Sequence, residues 1–337
     1  MSVVQPAART TITDVARTAG VSVATVSKVI NDRYGVAAST AERVREVIDQ
    51  LGYESSLVAR SLRSSRTGVL GVLVAEFEPF STELLKGLSR AAQGSGYELL
   101  AWSGGATPPE HVGWEHRSLS RLSGTLIDGA VLVTPTVVDG QYRIPVVAID
   151  PHTGPSALPS VDSDNFAGAC TAVQHLLDLG HRRIGFLAGR PDLESARLRE
   201  EGYRRTMAAA GLTVDEDLVR VGGFRPATAD GPAAELLRLP DRPTAVFAAN
   251  DLSAIRTVEV ARSLGLRVPE DLSVVGFDNI PESALAYPPL TTVSQPLHRM
   301  GEVAMEMLLT LVRGGELDLH HQRLRTDLVV RSSTRAL

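Results

Sequence analysis

The spacing of apolar residues along the chain changes near residue 67. Before that point apolar side chains recur every three or four residues, as in short amphipathic helices, and after it short apolar runs alternate with longer helical patterns. Apolar runs at 69–75, 97–102, 130–134 and 145–149 alternate with helical patterns at 83–92 and 115–122. This alternation predicts βαβ units on a parallel sheet.

A second series of the same kind follows, so we expect two doubly wound α/β lobes. It predicts helices at 165–179, 194–210, 233–239, 252–264 and 296–312, and strands at 184–188, 245–249, 273–277 and near 324–330. In such folds ligands bind between the lobes, at the carboxyl ends of the strands.

Residues 1–53 predict an all-α domain of three short helices. Thr11 and Asp14 have the spacing of a capping box for the first helix, and Gly20 ends that helix. Ser22 can cap the second helix, and Gly52 ends the third. The inward apolar positions of the last two helices are Val26, Val29, Ile30, Val44, Val47, Ile48 and Leu51.

The outer face of the second helix predicts a DNA-recognition surface. Val23, Ala24 and Thr25 are small enough to let a helix enter the major groove, and Lys28 adds one cation. Ser22 and Thr25 can donate hydrogen bonds to phosphates. A generic three-helix bundle is the alternative for this domain.

A basic linker at 54–66 follows the three helices. Its residues 57–66 carry no acid and are too short for a stable isolated helix, so we expect them to fold on a partner. Arg60, Arg63 and Arg66 could reach phosphates, and an apolar stripe that includes Leu62 could pair with a symmetry mate. A solvated linker is the alternative.

The charge distribution supports a nucleic-acid partner for the N-terminal part alone. Residues 1–66 carry a net charge of +3 and residues 67–337 a net charge of −8. Attraction to phosphates is local, so a small basic domain suffices to bind DNA. The single cysteine, Cys170, excludes an internal disulfide and a thiolate zinc site, and favours a cytoplasmic location. We see no signal peptide, and the apolar run at 69–75 is too short to span a membrane.

Residues 11–31, together with Ala-Arg-Ser-Leu at 59–62, resemble the lactose/galactose repressor (LacI/GalR) family of bacterial transcription regulators. The resemblance covers nearly the whole chain. It implies the periplasmic-binding-protein type I fold for residues 67–337, with the chain crossing between lobes near residues 161, 292 and 322. It also implies a homodimer on a palindromic DNA operator. No heptad pattern follows the last strand, so we expect no tetramer.

The family pattern assigns roles to individual residues of the N-terminal domain. Residues matching Val23, Ala24 and Lys28 read operator bases, residues matching Ser22, Thr25 and Asn31 position the DNA backbone, and the leucine matching Leu62 wedges into the minor groove. Only Lys28 among the base readers can donate a hydrogen bond, for example to guanine O6 or N7. The full set of DNA-binding residues that we predict is Thr11, Ser22, Val23, Ala24, Thr25, Lys28, Asn31, Arg60, Leu62 and Arg63.

Two segments depart from the family pattern. The family's Tyr-x-Pro-Asn before the linker is replaced by Tyr-Glu-Ser-Ser at 53–56, which removes a rigid proline and adds an acid near DNA. The family's Ser-Pro-Glu-Thr at the third helix is replaced by Ala-Ala-Ser-Thr at 37–40. We therefore expect Ser39 and Glu42 to form a shifted capping box.

The ends of several predicted strands carry polar side chains suited to a small-molecule effector. Asp150, Asn250 and Asp278 each follow an apolar run, and Asp251 is expected to cap the next helix. Arg199 and Phe224 match the arginine and the aromatic residue that bind the effector in the family. The Arg199 guanidinium can donate two parallel hydrogen bonds to vicinal hydroxyls or to a carboxylate. The predicted effector-binding residues are Phe80, Ser81, Asp150, Arg199, Phe224, Asn250 and Asp278.

We find no sequence motif of an enzyme, a nucleotide-binding loop or a metal site. The adjacent pair His320 and His321 would point to opposite faces of a strand, and Asp162 with Asp164 fits a loop or interface better than an acid and base pair. The sequence thus predicts a repressor without a cofactor, regulated by a sugar or oligosaccharide. The alternatives are a purine-type effector, a protein corepressor or a solute-binding receptor, and the direction of the response to effector stays open.

Overall fold

The computed structural model describes residues 10–30, 34–53, 66–104, 112–137 and 142–337. The chain forms two compact units, Met1–Thr67 and Gly68–Leu337. Of the linker expected at 54–66, only Arg66 is among the described residues. No helix in these ranges combines the length and the apolarity that crossing a membrane requires.

The first unit consists of the helices α1 (Ile12–Ala19), α2 (Val23–Ile30) and α3 (Ala38–Leu51). Val15, Val26 and Val44 are fully buried and form the centre of its own small core. The predicted capping box is present, since Thr11 Oγ1 accepts from the backbone of Asp14 and the Asp14 carboxylate accepts from the backbone of Thr11 at 2.9 Å. The residues that end α1 and α3, Gly20 and Gly52, adopt the left-handed backbone that glycine favours.

The start of α3 differs from the prediction. Ser39 and Glu42 lie inside the helix, so the shifted capping box is wrong. Ala37 is the N-cap residue and makes no side-chain cap, while its carbonyl oxygen accepts from the backbone of Thr40 and Ala41, both at 3.0 Å. The high helix propensity of alanine lets the helix begin before the first hydroxyl side chain.

The second unit contains two six-stranded sheets, one in each lobe. The first lobe has six parallel strands in the spatial order β11, β5, β4, β3, β1, β2, and their bounds are β1 (Val69–Val74), β2 (Glu98–Ser103), β3 (Gly129–Val133), β4 (Val146–Ile149), β5 (Ser160–Ser163) and β11 (His321–Leu324). The second lobe has the order β12, β10, β9, β8, β6, β7, with only β12 antiparallel, and its strands are β6 (Ile184–Ala188), β7 (Val219–Val221), β8 (Ala245–Ala248), β9 (Ser273–Asp278), β10 (Thr291–Ser294) and β12 (Asp327–Val329).

Helices cover both faces of each sheet, as parallel sheets require. In the first lobe these are α4 (Pro79–Ala92), α5 (Trp114–Leu122) and α11 (Leu297–Val312). In the second lobe they are α6 (Asn165–Asp178), α7 (Glu194–Ala209), α8 (Pro226–Leu237), α9 (Asp251–Ser263) and the short α10 (Pro281–Leu285).

The chain passes between the two lobes three times. The passages lie between Ser163 and Asn165, between Ser294 and Leu297, and between Leu324 and Asp327. The positions expected from the sequence, near 161, 292 and 322, come a few residues earlier. Because of the last two passages, α11 and β11 complete the first lobe from a late part of the chain.

The helices α4 and α11 touch through their backbones. A Cβ on Gly87 would lie 1.9 Å from the carbonyl oxygen of His298, and a Cβ on Gly301 would lie 2.3 Å from that of Leu84. Any larger residue would force the helices apart. Glycine at both positions thus allows α11 to pack closely against α4.

Candidate functional site

The exposed face of α2 carries the side chains predicted to read DNA. Val23, Ala24 and Lys28 are exposed, whereas Val26 and Val29 are buried in the unit's core. The face therefore offers two small apolar groups and one cation, which suits close approach to base edges in the major groove.

The hydroxyl groups at the start of α2 also contact each other. Ser22 Oγ accepts from the backbone of Thr25 at 3.1 Å and lies 2.9 Å from Thr25 Oγ1. Thr11 is exposed at the start of α1 and is bound to Asp14. The predicted residues Asn31, Arg60, Leu62 and Arg63 lie outside the described residues, as does the Glu-Ser-Ser segment at 54–56.

In the second unit, Arg199 on α7 lies at the centre of a buried polar cluster. Its Nε donates to Asn165 Oδ1 at 2.9 Å, and its Nη1 donates to the carbonyl oxygen of Ala249 at 2.5 Å. Nη1 also lies 3.4 Å from Asp278 Oδ1. The guanidinium stacks over the ring of Phe277 at 3.8 Å and lies 5.7 Å from the centroid of the Phe224 ring. These contacts fix the orientation of the guanidinium plane.

Asp150 and Asp278 place carboxylates from opposite lobes near Arg199. Burial raises the pKa of each carboxyl to about 6, and the Arg199 cation opposes that rise. Both residues have positive φ, 49° for Asp150 and 113° for Asp278, a backbone that non-glycine residues rarely adopt. Strain of this kind is concentrated at binding sites, where it orients a side chain.

Buried hydrogen bonds link this cluster to two of the passages between lobes. Gln295 Nε2 donates to Asp278 Oδ1 at 2.7 Å, and Ser163 Oγ donates to Gln295 Oε1 at 2.6 Å. Ser163 ends β5 at the first passage, and Gln295 follows β10 at the second. A ligand that displaces Asp278 would thus act on the hydrogen bonds that join the lobes.

Further contacts join the two lobes near Asp150. The backbone N–H of Glu194 donates to the carbonyl oxygen of His152 at 2.9 Å, and Ser195 lowers the pKa of the Asp150 carboxyl against the larger effect of burial. Ser195 and Glu194 begin α7, the helix that carries Arg199. The predicted effector residues Asp150 and Arg199 therefore lie where the two lobes meet.

Asn250 fixes the loop that carries Phe224. Its Oδ1 accepts from the backbone of Ser253 at 3.0 Å, and its Nδ2 donates to the carbonyl oxygen of Phe224 at 3.0 Å. Asn250 is thus the cap of α9, and the expectation that Asp251 caps it is wrong. Asp251 is fully buried and is bound by the hydroxyl of Thr292 and the backbone of Ile280.

Ser81 and Phe80 lie at the first turn of α4. Ser81 is buried, and its hydroxyl donates to the carbonyl oxygens of Glu76 and Glu78 at 3.0 and 2.9 Å. Phe80 is half-buried against the core of the first lobe. Ser81 thereby shapes the loop that faces the second lobe.

The other polar groups considered in the sequence have structural partners. Asp162 binds Arg323 through two hydrogen bonds of 3.0 Å, and Asp164 caps α6 by accepting from Ala167 at 3.0 Å. Across the described ranges, no three His, Cys, Asp or Glu residues form a group that could hold a metal ion.

Sequence reasoning missed three residues of this cluster: Asn165 and Phe277, which contact Arg199, and Gln295, which donates to Asp278. Asn165 and Gln295 come just after β5 and β10, and Phe277 is the second-to-last residue of β9. A search for aromatic residues at the ends of predicted strands would have found Phe277, whereas Asn165 and Gln295 follow β5 and β10, two strands that the apolar pattern did not predict.

Comparison with known proteins places these two units together in one protein family. The model described as "Bacterial regulatory proteins, lacI family" matches residues 11–56, and the model "Periplasmic binding protein-like domain" matches residues 173–334. The HTH-type transcriptional repressor PurR of Aliivibrio salmonicida is 34% identical over 97% of this chain and 99% of that protein. PurR of Vibrio cholerae serotype O1 (strain M66-2) is 36% identical over 97% of this chain and 98% of its own.

Two solved structures are similar over nearly the whole chain. A complex of the transcriptional regulator CelR with cellobiose has a TM-score of 0.72 and 34% identity, covering 96% of this chain and all of that one. The lac repressor dimer bound to operator and the anti-inducer ONPF has a TM-score of 0.83 and 27% identity, covering 98% of this chain and all of that one.

Proposed function

The chain belongs to the lacI family of bacterial regulatory proteins and is a DNA-binding transcriptional repressor, and from this premise we propose that a carbohydrate bound between the lobes regulates it. The family consists of transcriptional regulators rather than enzymes. The protein acts in this proposal as a homodimer in the cytoplasm, on a palindromic operator.

One observation carries the choice of effector. Asp150 and Asp278, from opposite lobes, present carboxylate acceptors around the buried cation Arg199, with the Phe224 ring beside it. Sugar hydroxyls can donate to both carboxylates and accept from the guanidinium, and an aromatic ring packs against the apolar face of a sugar. The solved complex of CelR with cellobiose gives independent support.

A purine-type effector is the second candidate. The observation in its favour is the similarity over nearly the whole chain to repressors named PurR. The ring of Phe224 and the Arg199 guanidinium could also receive a flat heterocycle.

The DNA-binding half of the proposal rests on α2. Val23, Ala24 and Lys28 would approach base edges in the major groove, and Thr11, Ser22 and Thr25 would lie at the DNA backbone with Asn31. Arg60 and Arg63 would contact phosphates, with Leu62 in the minor groove between half-sites.

Fluorescence anisotropy of the full chain on DNA from upstream of its own gene tests both halves. The ligands tested are the sugars cellobiose, glucose and galactose and the purine bases hypoxanthine and guanine. We expect selective DNA binding that one of the sugars shifts. A shift by a purine base and by no sugar would replace the carbohydrate with the second candidate. Absence of selective binding to this DNA and to DNA selected from a random pool would contradict the operator assignment.

The Arg199→Ala variant tests the site. It should keep operator affinity within about twofold and lose the response to the effector, because the guanidinium lies in the cleft and outside the DNA-binding unit. Arg197→Ala is the matched control, since Arg197 is exposed, pairs with Glu194 and should be dispensable. Removal of one partner of a buried ion pair costs about 3–5 kcal/mol, so thermal unfolding is measured alongside. A normal response of a folded Arg199→Ala protein would remove Arg199 from the site.

A further inference from the structure

Three charged side chains join the two lobes beside the effector residues. Arg225 follows β7 in the second lobe, and Glu76 and Glu78 follow β1 in the first lobe. Arg225 Nη2 lies 2.7 Å from Glu76 Oε2, and Arg225 Nε lies 3.3 Å from Glu78 Oε1. One guanidinium thus holds two carboxylates of the facing lobe. We call these three residues the interlobe bridge.

The backbone of each loop in the interlobe bridge is fixed to its own lobe. Glu78 is the N-cap residue of α4 and Arg225 is the N-cap residue of α8, and each is followed by a proline at the first helical position. The hydroxyl of Ser81 ties the carbonyl oxygens of Glu76 and Glu78 to the first turn of α4. The bridge can therefore form only when the lobes themselves approach.

The charges of the interlobe bridge make its closure reversible. Burial raises the pKa of Glu78, and the Arg225 cation is the main influence that lowers it again. The side chains remain partly open to solvent, with 37% of Glu76, 36% of Glu78 and 49% of Arg225 exposed. Ion pairs this exposed are weak and are screened by salt. They can bias an equilibrium between two lobe positions without locking either one.

The bridge also adjoins the effector residues directly. Arg225 follows Phe224, whose ring faces Arg199, and Glu78 precedes the segment that carries Phe80 and Ser81. Separation of Arg225 from the two glutamates would move both of these segments away from each other. The same motion would open the cleft between them.

We propose that the interlobe bridge is an ionic latch that stabilises the closed position of the two lobes. The strength of the Arg225 pairing then sets the fraction of molecules with an open cleft, and only those molecules admit a ligand. This proposal rests on the proposed effector site in the cleft for its regulatory meaning. The latch itself depends on three residues of this chain and can be measured without an effector.

Pulsed electron-electron spin resonance on the full chain measures the latch. Spin labels at Ser120→Cys in the first lobe and Ala208→Cys in the second, both exposed positions, report the distance between lobes in a Cys170→Ser background. Labelled protein is diluted with unlabelled protein so that only pairs within one chain contribute. We expect Arg225→Glu to raise the ratio of long to short distances about fivefold in the absence of any ligand.

A charge exchange and a matched control make the result specific. Glu76→Arg combined with Arg225→Glu should restore most of the short-distance population. Arg256→Glu breaks a similar pairing of one arginine with two carboxylates, Asp230 and Glu259, inside the second lobe, and should leave the distances unchanged. In the unsubstituted bridge, raising KCl from about 50 mM to about 1 M should shift the distances in the direction of Arg225→Glu.

Identical distances in Arg225→Glu and in the parent chain, at both salt concentrations, would overturn the latch. An equal shift in Arg256→Glu would overturn it as well, because the effect would then follow from lost charge and not from the lobe contact. If Arg225→Glu does not fold, the distances in the unsubstituted bridge at low and high KCl test the latch, and equal distances at both concentrations would overturn it. Operator binding is assayed separately, so that failure of the repressor assignment and failure of the latch give different results.

Discussion

Among the three residues that we expect to read bases, Lys28 is the one that can donate a hydrogen bond. Lys28 is exposed beside Val23 and Ala24, which offer only apolar contact. We predict that Lys28→Ala relaxes sequence preference at one base position by about 1–3 kcal/mol. Anisotropy titrations on a set of operators with one changed base pair each would measure this loss.

Arg63→Ala is the comparison for Lys28→Ala, because a phosphate contact acts on every sequence alike. We predict that it weakens binding to specific and random DNA equally and lowers the slope of log affinity against log salt by about one. Equal losses on specific and random DNA for Lys28→Ala would show that Lys28 contacts phosphate and not a base.

The raised pKa of Asp150 predicts a pH-dependent stability effect. Its pKa is about 6 in the folded protein, against an ordinary value of 3.8 for an aspartate in an unstructured chain. The folded state therefore holds more protons between these values, and the free energy of unfolding falls as pH rises through them. Asp150→Asn removes this titration, so its stability relative to the parent should rise by about 2 kcal/mol between pH 4 and pH 7.

Urea unfolding across that pH range measures the effect. Asp215→Asn is the control, because the pKa of Asp215 lies below its usual value, owing to hydrogen bonds from Asp217 and Arg183, and should give no such rise. A pH-independent difference for Asp150→Asn would mean that Asp150 titrates as an ordinary carboxyl group.

Single residues show which members of the buried polar cluster the sequence marked in advance. Arg199, Asp150 and Asp278, which the structure brings close together, were marked in the sequence by a family pattern or by the end of an apolar run. Asn250 and Asp251 were adjacent polar residues at one strand end, and the choice of cap between them depended on backbone geometry. No sequence pattern marked Gln295. Its role depends on the fold, which brings the second passage between lobes next to Asp278 at the end of β9.

At the scale of elements, apolar content decided which strands were predicted. The strand Ile184–Ala188 was predicted at its observed bounds, and most other apolar strands within one or two residues. Four strands were not predicted at their positions, namely β5, β7, β10 and β11, whose sequences are Ser-Val-Asp-Ser, Val-Arg-Val, Thr-Thr-Val-Ser and His-Gln-Arg-Leu. Short strands rich in polar residues form because neighbouring strands supply their hydrogen bonds, which no local pattern records.

One helix began earlier than predicted for a different reason. The sequence placed its start near residue 233, whereas α8 begins at Pro226 and contains Pro232. Proline is favourable at the first helical position, which Pro226 occupies. A second proline such as Pro232 usually marks a helix boundary, so the sequence pattern placed the start of the helix after it.

The contact between α4 and α11 predicts a large effect of a single methyl group. Gly87→Ala and Gly301→Ala would each push a Cβ into the backbone of the opposite helix, and each should lower the free energy of unfolding by about 1–3 kcal/mol. Gly231→Ala in α8 is the matched control, since its Cβ would meet no atom within 4 Å, and it should raise stability by about 0.5–1 kcal/mol. Urea unfolding of the three variants measures these changes in the free energy of unfolding. Equal changes at all three positions would contradict the close contact between α4 and α11.

At the scale of the whole molecule, the effector and the operator must influence each other equally. If the effector changes operator affinity by some factor, the operator must change effector affinity by the same factor, typically about 5- to 150-fold. We predict this equality for the first ligand that shifts operator binding. Calorimetric titration of effector with and without operator, compared with anisotropy titration of operator with and without effector, tests it. Unequal factors would show that the ligand acts on aggregation or on DNA instead of on the lobes.

The three passages between lobes also affect how the chain is made. The DNA-binding unit has its whole core by residue 53, whereas the first lobe must wait for α11 and β11, which end at residues 312 and 324. At about 5–20 residues per second, a ribosome needs on the order of 10 to 30 s to proceed from β5 to β11. During that interval the apolar face of α4 has no α11 to cover it. A nascent chain thus carries a finished DNA-binding unit before its sensor exists, and the exposed α4 is where we expect chaperones to bind during synthesis.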